Sequence, residues 1–193
     1  MTLTAEPDAI DARAIAERLG ERSVVLVGLM GSGKTTVGRR LAQILDLPFV
    51  DSDNEIEAAS RMSIAELFEA YGEPEFRALE SRVVTRLAAE GRRVLATGGG
   101  AFMTPAIRDA LKDRSITVWL RADLDTLMER VGRRGDRPLL KAPNPRAVMA
   151  GLIETRYPVY ALADITIDSR NVRRETVATE IVSALVRHLD AKG

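Results

Sequence analysis

Short apolar, β-branched runs alternate along this chain with longer segments of helical spacing. The five runs are 24–28 (VVLVG), 48–52 (PFVDS), 93–97 (RVLAT), 116–120 (ITVWL) and 165–168 (ITID). Between the first two, apolar residues recur on one face of a predicted helix at 34–45, namely Val37, Leu41, Ile44 and Leu45. Because near-continuous apolar runs are typical of strands buried on both faces of a parallel sheet, the pattern predicts a three-layer α/β domain.

Two regions depart from this alternation. Residues 52–91 have helical character and no predicted strand, and an insertion of this size usually builds a binding site. Residues 131–145 (VGRRGDRPLLKAPNP) are rich in Gly, Pro and Arg, which predicts a mobile loop. The first 20 residues suggest an acidic lead and one amphipathic helix, so we expect an extension at 1–20 and a single domain at 21–193.

Length, charge and cysteine content narrow the class of protein. The chain has 193 residues, 28 acidic and 28 basic side chains, and no cysteine. This length is typical of one domain. Because the charges balance, the protein has no net electrostatic field that would favour binding to nucleic acid or to an anionic membrane. Disulfides and thiolate metal sites are excluded. The start lacks a secretory signal, and no apolar run reaches the roughly 18 residues of a membrane span, so we expect a cytoplasmic protein.

The motif GLMGSGKTT follows the first predicted strand and opens the next helix. It contains the P-loop pattern G-x-x-x-x-G-K-[ST] as Gly28, Gly33, Lys34 and Thr35. Glycines let backbone N–H groups surround phosphate oxygens at a helix N-terminus. Lys34 is then expected to neutralise the β- and γ-phosphates of ATP, and the Thr35 hydroxyl to ligate Mg²⁺. The remaining nucleotide-binding residues of the motif are Gly31, Ser32 and Thr36.

Two carboxylates, Asp51 and Asp53, follow the second predicted strand. If the strand stays extended through Asp53, both carboxylates lie on one face of it. Alternatively, the segment is a solvated junction in which Ser52 or Asp53 caps the following helix, and the carboxylates then need no further function. The third strand ends in TGGG (97–100) and no acid, so Asp51 is the best candidate to face Thr35 across the metal. The TGGG segment is either a loose strand end or backbone that a ligand can approach closely.

Several basic residues have both an ordinary and a functional interpretation. Arg77 and Glu80 have the spacing of a surface ion pair on a helix, but Glu80 could instead fix Arg77 for a bidentate contact with a carboxylate. Arg137, in the predicted loop, is either solvated or closes over phosphates. Arg156 is either on a helix surface or a second anchor, and His188 is expected to face solvent.

Taken together these motifs resemble the shikimate kinase family, small P-loop enzymes that phosphorylate the 3-hydroxyl of shikimate with ATP. The resemblance runs from about Ser23 to about His188 and includes GLMGSGKTT, DSD, FRALE, TGGG, RPLL and RYPVY in the family's order. Only the first is specific by itself, whereas all six in order are highly specific. The resemblance implies the nucleoside monophosphate kinase fold, with a five-stranded parallel sheet, a helical substrate-binding region at about 51–80 and a mobile lid at about 131–145.

The resemblance also implies roles on the substrate side. Asp53 would bind the shikimate hydroxyls and align or deprotonate the attacking one. Arg77 and Arg156 would hold the shikimate carboxylate, and Glu80 would orient Arg77. The backbone of the glycine run would contact the substrate at Gly98, Gly99 and Gly100.

On the nucleotide side, the resemblance implies that Asp51 reaches Mg²⁺ through water. Arg137 would close on the ATP phosphates as a lid arginine, and Arg130 would stack on adenine. For a second adenine contact, Arg170 and Arg173 both stay open, because DSRNVRRE does not align cleanly. The expected catalytic residues are Lys34, Asp53 and Arg137.

Two rival functions are considered. A related P-loop kinase for gluconate or a nucleoside monophosphate would keep the P-loop but would not require DSD, FRALE and TGGG together. A nucleotide-gated sensor without turnover would be favoured only if Lys34, Asp53 or Arg137 were replaced. We therefore expect an enzyme whose partners are shikimate and ATP or ADP, with no nucleic acid or membrane, and which is a monomer.

Overall fold

Five parallel strands form the central sheet of the computed structural model, which describes residues 12–133 and 141–192. The strands are β1 (Ser23–Val27), β2 (Phe49–Asp51), β3 (Val94–Ala96), β4 (Ser115–Arg121) and β5 (Ile165–Asp168). Their order across the sheet is β2-β3-β1-β4-β5, and every neighbouring pair is parallel. Each strand lies at one of the predicted apolar runs, so the predicted five-stranded parallel sheet is confirmed.

Helices cover both faces of this sheet. Those of the described chain are α1 (Ala12–Leu19), α2 (Lys34–Leu45), α3 (Ser52–Ser60), α4 (Ile64–Ala89), α5 (Pro105–Leu111), α6 (Leu124–Gly132), α7 (Pro145–Tyr160) and α8 (Arg174–Lys192), with a short 3₁₀ helix at Ala101–Met103. Of these, α1, α2 and α8 pack on one face, and α3 to α7 pack on the other.

The two apolar clusters divide the residues of β1 between them. Val25 and Val27 belong to the cluster with α3 to α7, whereas Val24 and Leu26 belong to the cluster with α1, α2 and α8. Successive side chains of a strand point to opposite faces, so an unbroken apolar run supplies both clusters. The predicted three-layer α/β architecture is confirmed.

The predicted helical insertion consists of α3 and α4. A capping box at Ser63 and Glu66 starts α4, since the Ser63 hydroxyl accepts from the Glu66 N–H and the Glu66 carboxylate accepts from the Ser63 N–H. At Gly72 the backbone leaves helical geometry, with φ at 77° and ψ at 172°, and α4 kinks. After the kink, the second half of α4 runs above the sheet and carries Arg77 and Glu80.

All parallel strands end at the same edge of the sheet, and the motif residues gather there. The P-loop follows β1, Asp51 ends β2, the glycine run at 98–100 follows β3, and Ser169 follows β5. Ligands of open α/β sheets bind outside the carboxyl ends of the strands. The fold therefore places the functional site at this edge.

Helix α1, in the predicted extension, packs against the domain. Leu19 has no solvent exposure and lies in the cluster with α2 and α8. The Arg22 side chain donates to the Leu19 carbonyl at 3.1 Å, and Arg92 donates to the Ala16 carbonyl, so two guanidinium groups cover the end of α1. Residues 1–11 of the extension lie outside the described residues.

The expectation that His188 faces solvent is wrong. Its side chain is 14% exposed, and its Nε2 atom lies 4.0 Å from an Asp164 carboxylate oxygen. The cause is that α8 packs on α2 and β5, with Leu185 and Leu189 buried on either side of His188. Burial lowers the pKa of His188, and the charge of Lys192 adds to this effect. In the described chain, none of the helices is both long and apolar enough to cross a membrane.

We predict that Leu19→Ala lowers the free energy of unfolding by about 2–4 kcal/mol, because it leaves a cavity beneath α1. Leu162→Ala is the matched control, since Leu162 is 67% exposed, and it should change the free energy by less than about 0.5 kcal/mol. Urea denaturation of both variants measures the difference. An equally small effect for both would mean that α1 is not part of the folded domain.

Candidate active site

The P-loop forms a closed turn between β1 and α2. A Cβ atom at Gly28 would lie 2.7 Å from the Leu120 carbonyl oxygen, so the close approach to β4 requires glycine there. Gly33 precedes α2 with φ at 95°, a left-handed conformation that favours glycine. The Lys34 ammonium donates to the carbonyls of Gly28 at 2.7 Å and Leu29 at 2.9 Å. A cation is thus held over a loop at the N-terminus of α2, as the motif predicts for phosphate binding.

Asp51 connects the end of β2 with the P-loop helix. The Thr35 hydroxyl donates to Asp51 Oδ2 at 2.8 Å, so the two residues are adjacent, and their predicted position on either side of a metal ion stays a prediction. The other oxygen, Oδ1, accepts from the Asp53 backbone N–H at 3.1 Å and makes Asp51 the N-cap of α3. The cap is therefore Asp51, and neither Ser52 nor Asp53, because α3 already begins at Ser52. For the same reason the two carboxylates do not lie on one face of a strand.

The hydroxyl of Thr35 and the carboxylate of Asp51 fit a magnesium ion chemically. Both are hard oxygen donors, the type that Mg²⁺ prefers. Within residues 12–133 and 141–192, no three Asp, Glu or His side chains are grouped in a way that could hold a metal ion. A Mg²⁺ ion at this position would therefore take its other ligands from water and from phosphate oxygens, as is usual for this ion.

Asp53 lies in the first turn of α3 and faces the glycine run. A Cβ atom at Gly98 would be 2.6 Å from Asp53 Oδ1, so the carboxylate lies directly against this backbone. Burial raises the pKa of Asp53 to about 6, and the negative charges of Asp51 and Glu80 add to this shift, while Lys34 opposes it. Asp53 is therefore a carboxylate that is ionised at neutral pH but more basic than an exposed one.

Arg77 and Glu80 form a buried ion pair and not a surface one. Glu80 has no solvent exposure, and Arg77 Nη1 donates to Glu80 Oε2 at 2.7 Å. Arg77 also contacts Glu73 at 3.2 Å, and its guanidinium lies 5.3 Å from the centre of the Phe76 ring. A buried carboxylate needs a partner of opposite charge, so Glu80 fixes the position of Arg77.

One oxygen of Glu80 has no hydrogen-bond partner among the described residues. This buried atom, Oε1, lies 2.7 Å from the position that a Cβ of Gly98 would occupy. Burial raises the pKa of Glu80, and the charge of Arg77 opposes the shift. The unpartnered oxygen thus lies at the glycine run, near the carboxylate of Asp53.

The glycine run at 98–100 is fixed by side chains from three directions. The Gly98 N–H donates to the Ser52 hydroxyl at 3.1 Å. Arg156 Nη1 donates to the Gly99 carbonyl at 3.0 Å, so Arg156 belongs to the site and not to an unrelated helix surface. A Cβ at Gly100 would lie 2.5 Å from both terminal nitrogens of Arg77. TGGG is therefore not a loose strand end, because side chains of the protein pack against its backbone, and the predicted close approach of a ligand stays a prediction.

Ser169 is a site residue that sequence reasoning missed. Its hydroxyl donates to the Ser32 carbonyl of the P-loop at 2.7 Å and accepts from Arg130 Nη1 at 2.8 Å. Arg130 also donates to the carbonyls of Gly31 at 3.2 Å and Arg170 at 2.7 Å. The one available signal was a small polar residue directly after β5. Arg130 and Ser169 together tie the segment after β5 to the P-loop.

One cavity of about 510 Å³ joins the P-loop and the two aspartates with the segment after β5, whereas Arg77, Glu80 and Arg156 are not among its lining residues. It is lined at one end by Asp51, Asp53, Thr97 and Gly99, in the middle by Lys34, Thr35 and Thr36, and at the other end by Arg130, Ser169, Arg170 and Val172. Of the two open alternatives, Arg170 lines the cavity, whereas Arg173 is exposed and does not. Arg174, which was not predicted, does line it.

The predicted lid at 131–145 is described only at its two ends. Helix α6 ends at Gly132, and α7 begins at Pro145. Residues 134–140, with Arg137, lie outside the described residues, so the role expected for Arg137 stays a prediction.

The sequence matches proteins of one family over most of its length. A family model described as shikimate kinase matches residues 30–186. A shikimate kinase of Mesorhizobium japonicum is 53% identical over 184 residues, which cover 95% of this chain and 91% of the relative. A shikimate kinase of Brucella canis is 54% identical over 176 residues, covering 91% of this chain and 88% of the relative.

Solved structures give the same result. A shikimate kinase from Acinetobacter baumannii in complex with shikimate has a TM-score of 0.83 and 37% sequence identity, covering 89% of this chain and 97% of that chain. A gluconokinase from Sinorhizobium meliloti has a TM-score of 0.56 and 18% identity, covering 89% of this chain and 95% of that chain. At that identity the second likeness concerns the fold alone.

We predict that Asp53→Asn stabilises the protein in a pH-dependent way. Because the pKa of Asp53 is raised to about 6 in the folded state, the folded protein binds more protons than the unfolded chain between pH 4 and 6. Ionisation of Asp53 therefore costs stability as the pH rises through this range. At pH 8 the variant should have a free energy of unfolding about 1–3 kcal/mol above that of the wild type, and this difference should vanish near pH 4.

Urea denaturation at pH 4, 6 and 8 measures this difference. Asp113→Asn, at an exposed position, serves as the matched control and should give the same small difference at each pH. An Asp53→Asn effect that does not change with pH would contradict the proposed burial of the charge.

Proposed function

The chain belongs to the shikimate kinase family, and on this basis we propose that its site residues divide between an ATP side, at the P-loop, and a shikimate side, at the glycine run 98–100. The protein transfers the γ-phosphoryl group of ATP to the 3-hydroxyl of shikimate and releases shikimate 3-phosphate and ADP. It is a phosphotransferase of aromatic amino acid biosynthesis. The observation that carries the assignment of residues is the buried Arg77–Glu80 pair, which lies at the glycine run together with Asp53.

The shikimate side provides positive charge for the carboxylate end of the substrate and a negatively charged acceptor for the hydroxyl end. Shikimate is a monocarboxylate with several hydroxyls. Arg77 and Arg156 bind the carboxylate, and a planar guanidinium can do so through two parallel hydrogen bonds. Asp53 accepts from the hydroxyls at the other end. The backbone of 98–100 lies against Asp53 at Gly98 and against Arg77 at Gly100, so a substrate held by both groups would contact it.

The ATP side begins at the P-loop. Its N–H groups hold the phosphates, and Lys34 neutralises their charge. Thr35 and Asp51 would hold Mg²⁺, and the ion would offset negative charge on the β- and γ-phosphates. Arg130 and Arg170 lie at the far end of the cavity, where the base would bind. Arg137 lies outside the described residues; the family resemblance assigns it a further positive charge for the phosphates.

Asp53 takes the proton in the transfer. The 3-hydroxyl oxygen forms a bond to the γ-phosphorus while the bond to the ADP oxygen breaks, and the hydroxyl proton passes to Asp53. A carboxylate with a pKa of about 6 is still ionised at neutral pH, yet it is a better proton acceptor than an exposed aspartate. Such a base contributes about 10²- to 10⁴-fold to the rate, and charge neutralisation and positioning supply most of the rest.

Side-by-side assays of ADP release test the function. Shikimate, gluconate and nucleoside monophosphates would each be supplied with ATP and Mg²⁺. Shikimate should be the preferred acceptor by several orders of magnitude. Gluconate is the informative competitor, because it is also a carboxylate with hydroxyls, and faster turnover with gluconate would contradict the function. A cytoplasmic location and a monomeric state stay predictions from the sequence.

We predict that Arg77→Ala raises the KM for shikimate at least about tenfold and leaves the KM for ATP within about twofold, because it removes a charge-assisted contact with the carboxylate. Arg77→Lys keeps a positive charge opposite Glu80 but loses the planar fork, so it should show the same selective effect with less loss of stability.

The matched control is Arg86→Ala on the same helix. Arg86 is half exposed and pairs with Glu55 and Glu90 away from the cavity, so both KM values should stay unchanged. If Arg77→Ala and Arg77→Lys raise the KM for ATP as much as that for shikimate, Arg77 does not bind the carboxylate.

A further inference from the structure

Tyr160 is a residue of the RYPVY motif to which the functional assignment gives no role. It is the last residue of α7, one helical turn after Arg156, so both side chains lie on the same side of the helix. Unlike Arg156, it has no solvent exposure. It packs among aromatic rings, with centroid distances of 6.0 Å to Trp119, 6.3 Å to Tyr157 and 6.4 Å to Phe102.

The hydroxyl of this buried ring reaches the glycine run. It donates to the Gly99 carbonyl oxygen, and Arg156 Nη1 donates to the same oxygen at 3.0 Å. Burial raises the pKa of Tyr160 to about 12, so the phenol keeps its proton and stays a donor at neutral pH. One carbonyl thus has a rigid, uncharged donor and a charged donor.

This arrangement links the aromatic core to the substrate side. The rings of α7 and β4 fix Tyr160, the hydroxyl fixes the Gly99 carbonyl, and the carbonyl fixes Arg156. Gly99 lies between Gly98, which contacts Asp53 and Glu80, and Gly100, which contacts Arg77. A displacement of Gly99 would therefore move Arg156 relative to Arg77 as well as the backbone between them.

The two donors are not equivalent when a carboxylate is present. The guanidinium of Arg156 has other N–H groups that can turn to an anion, whereas the phenol has one donor and no freedom to follow. Without the phenol, Arg156 alone among the described side chains would donate to the Gly99 carbonyl, and the carbonyl would lose its fixed donor. Tyr160 therefore holds the carbonyl in place, and with it Nη1 of Arg156, while the other N–H groups of the guanidinium can bind the anion.

We propose that Tyr160 is a positioning residue for shikimate, which holds the Gly99 carbonyl so that Arg156 can bind the substrate carboxylate. The role rests on the proposed function of Arg156. It requires that loss of the hydroxyl weakens shikimate binding through Arg156 and leaves ATP binding unchanged.

The test is Tyr160→Phe, which removes one oxygen and keeps the ring. The Kd of shikimate, measured by calorimetry in the presence of ADP, should rise about fivefold to tenfold, the ratio that one net hydrogen bond represents. The KM for ATP should stay within about twofold. The matched control is Tyr157→Phe, since the Tyr157 hydroxyl donates to the Ala122 carbonyl from the same aromatic group, and this variant should leave the Kd of shikimate unchanged.

A second comparison separates positioning from a structural role. In an Arg156→Ala background, Tyr160→Phe should add less than about twofold to the Kd, because the two residues act through one contact. A full additional effect in that background, an unchanged Kd in the single variant, or equal effects of Tyr160→Phe and Tyr157→Phe would each overturn the proposal. So would a Tyr160→Phe protein that fails to fold, since the hydroxyl would then be structural. A wild-type protein that does not bind shikimate would overturn the proposed function as well.

Discussion

The structure depends on a close approach between the backbone after β3 and three charged side chains. Gly98 lies against the carboxylates of Asp53 and Glu80, and Gly100 lies against the guanidinium of Arg77. The backbone angle of Gly100, with φ at −101°, is one that other residues can adopt. Glycine is therefore required here by space and not by conformation. The glycine run brings Asp53 and the Arg77–Glu80 ion pair to one short segment.

Burial fixes these charged side chains in place and also lowers the stability of the folded protein. A carboxylate such as Glu80 is unfavourable in the interior unless a cation accompanies it, so α4 must hold Arg77 at one position. The same surroundings raise the pKa of Asp53 to about 6. Burying these charged groups lowers the free energy of unfolding, but it also prepares them for function. A guanidinium fixed by Glu80 can recognise a carboxylate, and a more basic aspartate can accept a proton.

Local patterns in the sequence were enough to predict much of this molecule, and long-range contacts were not. The strand runs and the helix at 34–45 follow from hydrophobic period, and the choice of Asp51 as the neighbour of Thr35 follows from the absence of an acid after the third strand. Spacing also places Glu80 beside Arg77 but cannot tell a surface pair from a buried one. The contact of Ser169 with Ser32 joins residues 137 positions apart, and no local pattern indicates it. His188 was expected to face solvent because it has polar neighbours in the sequence. The elements that bury it, α2 and β5, are distant in the sequence.

The most direct measurement of the central constraint is shikimate affinity in Gly98→Ala. A methyl group there would lie 2.6 Å from Asp53 Oδ1 and 2.7 Å from Glu80 Oε1. Gly151→Ala is the control, because Gly151 lies in α7 with no atom within 4 Å of the added carbon. The structure predicts that Gly98→Ala weakens shikimate binding at least about a hundredfold, on the scale of a few kcal/mol for overpacking, while ADP binding and the Gly151→Ala protein stay normal. Normal shikimate binding by Gly98→Ala would contradict the view that this backbone contact organises the site.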